Sequence, residues 1–344
     1  MGKDIRVKII SKNGIRGFQL TELPQQFSNV KFITDRQCDD YDWLVVYDDL
    51  PPSGDERLSL GTEALACRQE NTVLITYEPS SVKFYGRDYI NQYGMVLTSH
   101  APDSLAHDNR HDMPPVGVWY YGGMEQMLAH PTAPQKTKEI SIFASAKQEK
   151  HTLHRRRFDF ISEMQAGLAG SLDVYGRGHQ FVEHKAEALD DYRYHIAVEN
   201  HIGPHHWTEK LSDSFLGYCL PFYVGCPNAA EYFPEESFIA LDIRDSQAAL
   251  ATIKAAIANN EYEKRLPAII EARRRVIEDC NLGNMVARHI VGAPQAQGES
   301  PAGQIVSRHA MMRKGLMVFL RYAIGKGLAR RKNRLYWEKY LAKD

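Results

Sequence analysis

Residues 194–242 read YHIAVENHIGPHHWTEKLSDSFLGYCLPFYVGCPNAAEYFPEESFIALD. An apolar run at 195–198 ends in Glu199-Asn200. Thr208-Glu209-Lys210 follows after a polar loop, and Pro221-Phe222-Tyr223-Val224-Gly225 comes next. The order is a buried strand, a loop of polar donors, a helix start, and a second buried strand closed by glycine. A doubly wound α/β domain presents a ligand site in this way, at the carboxyl ends of its strands. Thr208 is a favoured N-cap type, and the free N–H groups of the turn it opens face an anion. Asn200, at a strand's carboxyl end, can offer a nucleotide both a donor and an acceptor.

The α/β alternation extends in both directions. Upstream of the stretch, 140–144 reads as a strand, 153–167 as a basic helix, and 172–175 as a strand running into Gly176-Arg177-Gly178. Downstream, 238–241 reads as a strand and 246–259 and 262–279 as helices. The first half holds five short apolar or β-branched runs (5–10, 30–34, 43–47, 72–77 and 95–98), the spacing of a parallel sheet with crossovers. The polar, Pro-containing HPTAPQKTK at 130–138 reads as a linker. The pattern predicts an N-terminal α/β domain over 1–130, a second over 139–292, and a linker with a basic tail over 293–344.

Composition bounds the reading. The chain has 344 residues, is 43% hydrophobic and 25% charged, and carries a net charge of −1. That balance suits a globular protein with no nucleic-acid partner. Five cysteines without a CxxC pair, behind a start (MGKDIRVKII) that reads as a strand, predict free thiols in a reducing cytoplasm. No apolar run is long enough to span a membrane. The charge is uneven, however. Residues 301–344 hold eleven Lys/Arg against Glu338 and Asp344. Met312, Leu316, Phe319, Leu320, Ala323 and Ile324 recur there at helical spacing among the basic residues. This predicts a basic amphipathic helix on an anionic membrane surface, with the protein peripheral on the inner face of the cytoplasmic membrane; the alternative is a helix that packs its apolar face on the protein itself.

Glu199-Asn200, Thr208-Glu209-Lys210 and 221–225 at this spacing resemble the donor-binding segment of glycosyltransferase family 10, the α1,3/4-fucosyltransferases, in a bacterial-type member. The resemblance implies a GT-B-type fold, with two Rossmann-like domains facing across a cleft. It implies an inverting transfer of fucose from GDP-fucose to a glycan hydroxyl, with no metal held by the protein and Mn²⁺ as a stimulant. The acceptor expected from the tail is a surface or lipid-linked saccharide.

By the same resemblance, Lys210 meets the donor phosphates and Glu209 the donor ribose or sugar. An arginine on the helix after this domain's first strand binds the diphosphate. Arg157, spaced Arg-x-x-Phe from Phe160, fits that place, with Arg155 as the fallback. Tyr175, Gly176 and Arg177 resemble a Tyr-Gly-Arg segment beside the nucleotide. Thr208, Asn200 and Glu209 complete the expected donor site. In the N-terminal half, Glu78 follows the run at 72–77 as a carboxylate at a strand's carboxyl end. The resemblance makes it the general base.

The chain departs from the family pattern at His201 and His206, which stand where Ser and Tyr are usual. His201, His205 and His206 lie in a loop without the spacing of a metal site. The alternatives are a transferase of the same fold with another nucleotide-sugar donor, and a non-catalytic glycan- or nucleotide-binding scaffold.

Overall fold

The computed structural model describes residues 3–342 except 15–17, 19, 21–22, 55, 123–126, 128–130, 145–152, 177, 295 and 297–302. Arg177, one of the expected donor ligands, lies outside the described residues. The chain divides into two compact units, Met1–Gly117 with Asn281–Tyr336, and Val118–Cys280 with Trp337–Asp344.

The first unit carries strands β1 (Ile5–Ser11), β2 (Val30–Ile33), β3 (Trp43–Tyr47), β5 (Thr72–Ile75), β6 (Met95–Thr98) and β7 (Arg110–Asp112) in one parallel sheet ordered β2-β1-β3-β5-β6-β7. A separate antiparallel pair joins β4 (Thr62–Ala64) to β13 (Gln304–Val306). All five residues of β3 and all four of β5 and β6 are buried. Strands covered on both faces must be apolar throughout, which is why they stand out in the sequence. The polar edge strand β7 and the short pair β4–β13 carry no such run and went unread. Helix α1 (Arg87–Ile90) packs Tyr89 and Ile90 onto this core.

The second unit has β8 (Lys138–Phe143), β9 (Leu172–Tyr175), β10 (Tyr192–Val198), β11 (Leu220–Val224) and β12 (Ile239–Ala240). All pair in parallel, in the order β12-β11-β10-β8-β9. Counted from β8, that is the 2-1-3-4-5 order of a doubly wound sheet, whose direction of winding reverses between β8 and β10. Helices α2 (His154–Gly167), α3 (Glu209–Leu216), α4 (Ser246–Ala258) and α5 (Glu261–Glu278) connect and cover it. Ile142, Ile196, Val198, Phe222 and Val224 meet Phe160, Met164, Ile253 and Ile269 in its core. Two parallel-sheet α/β units are as expected.

The boundaries are not as expected. The second unit begins at Val118, and the supposed linker is pinned to it. Lys136 is 6% exposed, and its ammonium donates to the carbonyls of Leu189, Asp190 and Gly217. The Tyr121 hydroxyl donates to Asp190, 2.8 Å away.

Residues 281–336 return to the first unit. There lie α6 (Leu282–Gly292), which is buried along most of its length, β13, and the short helix α7 (Arg308–Met312). Within 293–303, Ala296 is fastened by a reciprocal pair of hydrogen bonds to Asn71.

The tail forms one helix, α8 (Leu316–Leu341). It is no free appendage, because it packs through a face the sequence did not single out. Val318 rests on the first unit's core. The Tyr322 hydroxyl receives Arg308, Arg321 pairs with Asp88 at 2.7 Å, and Asn333 donates to the Ser80 carbonyl. Further along, Trp337 is buried in the second unit's core, with Tyr340 against it. Leu316, Phe319, Leu320 and Ile324, taken from the sequence as the apolar face, are 72, 49, 41 and 63% exposed, and Leu328 is 61% exposed. Among the described residues no helix is long and apolar enough to cross a membrane.

Candidate functional site

A cavity of about 240 Å³ opens in the second unit, lined by Phe143, Ala144, Arg157, Lys185, His195, Val198, Asn200, Glu209, Lys210 and Asp213 among others. Ala144 follows β8 and Asn200 follows β10, so the cavity sits at the carboxyl ends of the two strands between which the sheet reverses. That crevice is where open α/β sheets bind ligands. Gly176 lets β9 close up beside it. Its φ is +117°, and a Cβ there would lie 2.3 Å from the Ala144 carbonyl oxygen.

Arg157 enters the cavity because of its place on α2. Leu153, Arg157, Phe160, Ile161 and Met164 recur at three- and four-residue spacing and are all buried, so the arginine occupies the helix's inward stripe. Its guanidinium donates to the Asn200 side-chain Oδ1 at 2.8 Å, which orients the amide. Its Nε is buried without a hydrogen-bond partner. A buried cation with an unspent donor is prepared for an anion. Burial pushes its pKa down, against the opposing charges of Glu199 and Glu209.

Glu199 organises the turn between β10 and α3. It is 0% exposed, and its carboxylate accepts the Thr208 N–H at 2.8 Å and the Thr208 hydroxyl at 2.7 Å. Gly225 makes room for it, since a Cβ at that position would lie 2.5 Å from Glu199 Cγ. Thr208 caps α3 as expected, its oxygen accepting the Lys210 N–H at 3.3 Å.

Lys210 Nζ lies 2.9 Å from Glu209 and 3.7 Å from Glu199. Burial alone would lower Lys210, but the two carboxylates overcome it and hold the ammonium above its usual range. Burial would likewise raise Glu209, but Lys210 and Lys185 hold its carboxyl far below the carboxylate range. Glu199 moves the other way, because burial raises it against Lys210.

Arg157, Asn200, Glu209 and Lys210 therefore come together in one cavity. Three other expected ligands do not line it. Arg155, two residues from Arg157, points to the far side of the helix about 200° away, 53% exposed and ion-paired to Asp159. Tyr175 is buried, and its hydroxyl is bound to that of Tyr192 at 2.7 Å. Thr208 serves the backbone and Glu199.

Glu78 belongs to the first unit. It follows β5, is partly buried, and its carbonyl accepts from His100 at 2.8 Å. His205 meets Tyr232 and Asn228, while His201 stacks edge-on to His206 and Trp337. Among the described residues no cluster of three or more His, Cys, Asp or Glu could hold a metal.

Lys185, His195 and Asp213 line the cavity without having been read from the sequence. Lys185 starts a short 3-10 turn with no periodic pattern. His195 sits within a core strand, its Nδ1 on the Ser141 hydroxyl at 2.8 Å, and burial pushes it down to about 3. Asp213 stands one turn after Glu209 on α3. That spacing was the one available signal.

Residues 133–265 match the family model described as "Glycosyltransferase family 10 (fucosyltransferase) C-term". The match covers 133 of the 344 residues, all within the second unit, so over that stretch the chain is similar to the C-terminal part of the family. The α-(1,3)-fucosyltransferase FucT of Helicobacter pylori is 32% identical over 74 residues, which is 21% of this chain and 16% of that protein. The chimpanzee (Pan troglodytes) 3-galactosyl-N-acetylglucosaminide 4-alpha-L-fucosyltransferase FUT3 is 29% identical over 133 residues, 36% of this chain and 34% of its own. The matches thus span about a third of these relatives' length at most.

A crystal structure of an alpha1,3-fucosyltransferase superposes at a TM-score of 0.49 and 17% identity, covering 84% of this chain and 88% of that one. The stretch that matches the family model contains the whole cavity lining, from Phe143 to Asp213.

Proposed function

We propose that this chain is an inverting glycosyltransferase that moves fucose from GDP-fucose to a hydroxyl of a glycan acceptor. One observation carries the reading: inside the stretch that matches the family model, Arg157 and Lys210 converge on the first turn of α3 beside Asn200 and Glu209. The fucosyltransferase names of the relatives support the donor.

The bond to break joins the anomeric carbon to a diphosphate oxygen. Charge grows on that oxygen as it leaves. Arg157, Lys210 and the first N–H groups of α3 are fixed in place to stabilise it without rearrangement. Glu209 and Asn200 hold the ribose or sugar. The acceptor hydroxyl attacks from the opposite face and inverts the anomeric carbon, while Glu78 takes its proton. Mn²⁺ enters this proposal as a soluble partner of the diphosphate that raises turnover.

Titration calorimetry with GDP, UDP, CMP and ADP tests the donor. GDP should bind alone or best, and preference for another nucleotide would overturn the choice of fucose. His206 favours that second reading, since it is buried (3% exposed) where the family pattern has tyrosine. Glu78→Gln tests the base. It should lower kcat by about 10²–10⁴-fold while leaving GDP affinity within about twofold. Undiminished turnover would remove Glu78 from the mechanism.

We further propose that the protein works in the cytoplasm, on the inner face of the cytoplasmic membrane, with a surface or lipid-linked saccharide as acceptor. The exposed row Leu316, Leu320, Ile324 and Leu328, set among the lysines and arginines of α8, supports this. Deleting the tail would remove packing residues such as Tyr322 and Trp337, so the test is Leu320→Gln, Ile324→Gln and Leu328→Gln together. The triple variant should lose binding to vesicles containing phosphatidylglycerol and keep its GDP affinity. Unchanged vesicle binding would refute the membrane role.

A further inference from the structure

Lys185 is a third cation in the wall of the donor cavity, and side chains hold its ammonium. Its Nζ lies 2.9 Å from Asp213 Oδ2 and 3.8 Å from Glu209 Oε1, the same oxygen that holds Lys210. Its ammonium rests against the rings of Phe143 and Tyr120. Around the cavity, three cations (Arg157, Lys185 and Lys210) face three carboxylates (Glu199, Glu209 and Asp213). A site balanced in this way attracts a diphosphate more strongly when a further cation changes partner and a carboxylate is neutralised.

Resting on the donor reading above, we infer that Lys185 is a third diphosphate ligand, held by Asp213 while the site is empty, and that Asp213 takes up a solvent proton when Lys185 turns to the phosphates. The two lysines already share one carboxylate oxygen, so a short turn of a flexible side chain carries Lys185 toward the anion that Lys210 meets. Glu209 keeps Lys210 and stays ionised. Asp213 is 1% exposed and loses its counter-charge.

Burial already pushes the Asp213 carboxyl up to about 6 against the pull of Lys185. Without that pull, burial raises it further, and the proton binds at neutral pH. Of the other groups around it, Glu209 on its own helix repels a second negative charge, His195 of β10 is neutral, and Arg157 and Lys210 are committed to the anion; the Tyr121 backbone N–H favours the ionised form and is the smallest of these influences, outweighed by burial.

The test is calorimetric titration with GDP-fucose, without acceptor, at pH 7 in phosphate and in Tris, whose ionisation enthalpies differ. The sugar ester carries no phosphate group that titrates near neutrality, so the buffer difference counts protons taken up by the protein. The wild type should take up close to one proton, and affinity should rise as pH falls from 8 toward 6. Asp213→Asn should abolish the uptake and flatten that pH profile. Lys185→Met should bind at least about tenfold more weakly, and Lys185→Arg should restore most of the affinity. Wild-type binding without proton uptake, or Lys185→Met binding like the wild type, overturns the inference and leaves the fucosyltransferase reading standing. If the wild type binds a different nucleotide sugar instead, the donor assignment falls and the same variants judge Lys185 with that sugar. No binding of any nucleotide sugar overturns both.

Discussion

Lys210→Met is expected to weaken GDP binding by about 10²–10³-fold and to lower turnover at least as much. A charge-assisted hydrogen bond is worth about 1.5–3 kcal/mol, and each 1.4 kcal/mol is about a factor of ten in affinity. The phosphate contact alone therefore accounts for about 10–150-fold. The rest comes from what the lysine leaves behind. Glu209 lies 2.9 Å from its ammonium and Glu199 3.7 Å away. Without Lys210, Glu199 loses its neighbouring ammonium and Glu209 keeps only Lys185 at 3.8 Å, so negative charge gains the upper hand where the diphosphate must enter. Methionine keeps the buried stem, so lost packing is not the cause. Calorimetry with GDP checks the binding, and a thermal melt checks that the fold survives. Affinity within a few-fold of wild type would place the phosphates away from α3, and the mechanism argued here would fail with them.

What the sequence revealed about this site depended on how each residue announces itself. β10 and β11 are central parallel strands, so their apolar runs are continuous and unmistakable. Thr208 is a cap with a chemical signature. Arg157 was distinguishable from its neighbours by the Arg-x-x-Phe spacing to Phe160 that the family resemblance supplies, and the structure gives the physical ground, a shared register with Leu153, Phe160 and Met164, all buried. Lys185 and Asp213 had no comparable mark: one begins a short polar turn, and the other looks like any helical aspartate.

The tail shows the opposite difficulty. Its helix was plain, but it is apolar on two faces. The stripe chosen from spacing is the exposed one, while Val318, Tyr322 and Trp337 do the packing. Which of two apolar faces a helix buries depends on the partner surface, and here that surface includes Phe84, against which Tyr322 lies with ring centroids 5.5 Å apart. Periodicity carries no information about it.

Glu199→Ala is expected to cost about 3–5 kcal/mol of stability, the loss typical when one partner of a buried ion pair is removed. The deletion strands the Thr208 N–H and hydroxyl, both held by this carboxylate at 2.7–2.8 Å. It also removes one of the two carboxylates beside Lys210. The start of α3 should loosen, and GDP binding should fall with it. Glu199→Gln separates the two roles. The amide oxygen still accepts from Thr208, so stability at pH 7 should stay within about 1.5 kcal/mol of wild type, the net worth of one hydrogen bond.

The pH dependence gives a further check. Burial raises the Glu199 carboxyl in the folded state above its unfolded value. Its contribution is therefore full below the unfolded pKa and is lost as pH rises through the folded one. The glutamine variant lacks that loss, so its stability relative to wild type should improve from pH 4.5 to pH 8. Urea denaturation midpoints across that range measure it. An alanine variant as stable as the glutamine variant, with GDP binding intact, would mean that Glu199 neither caps the turn nor orders the diphosphate site.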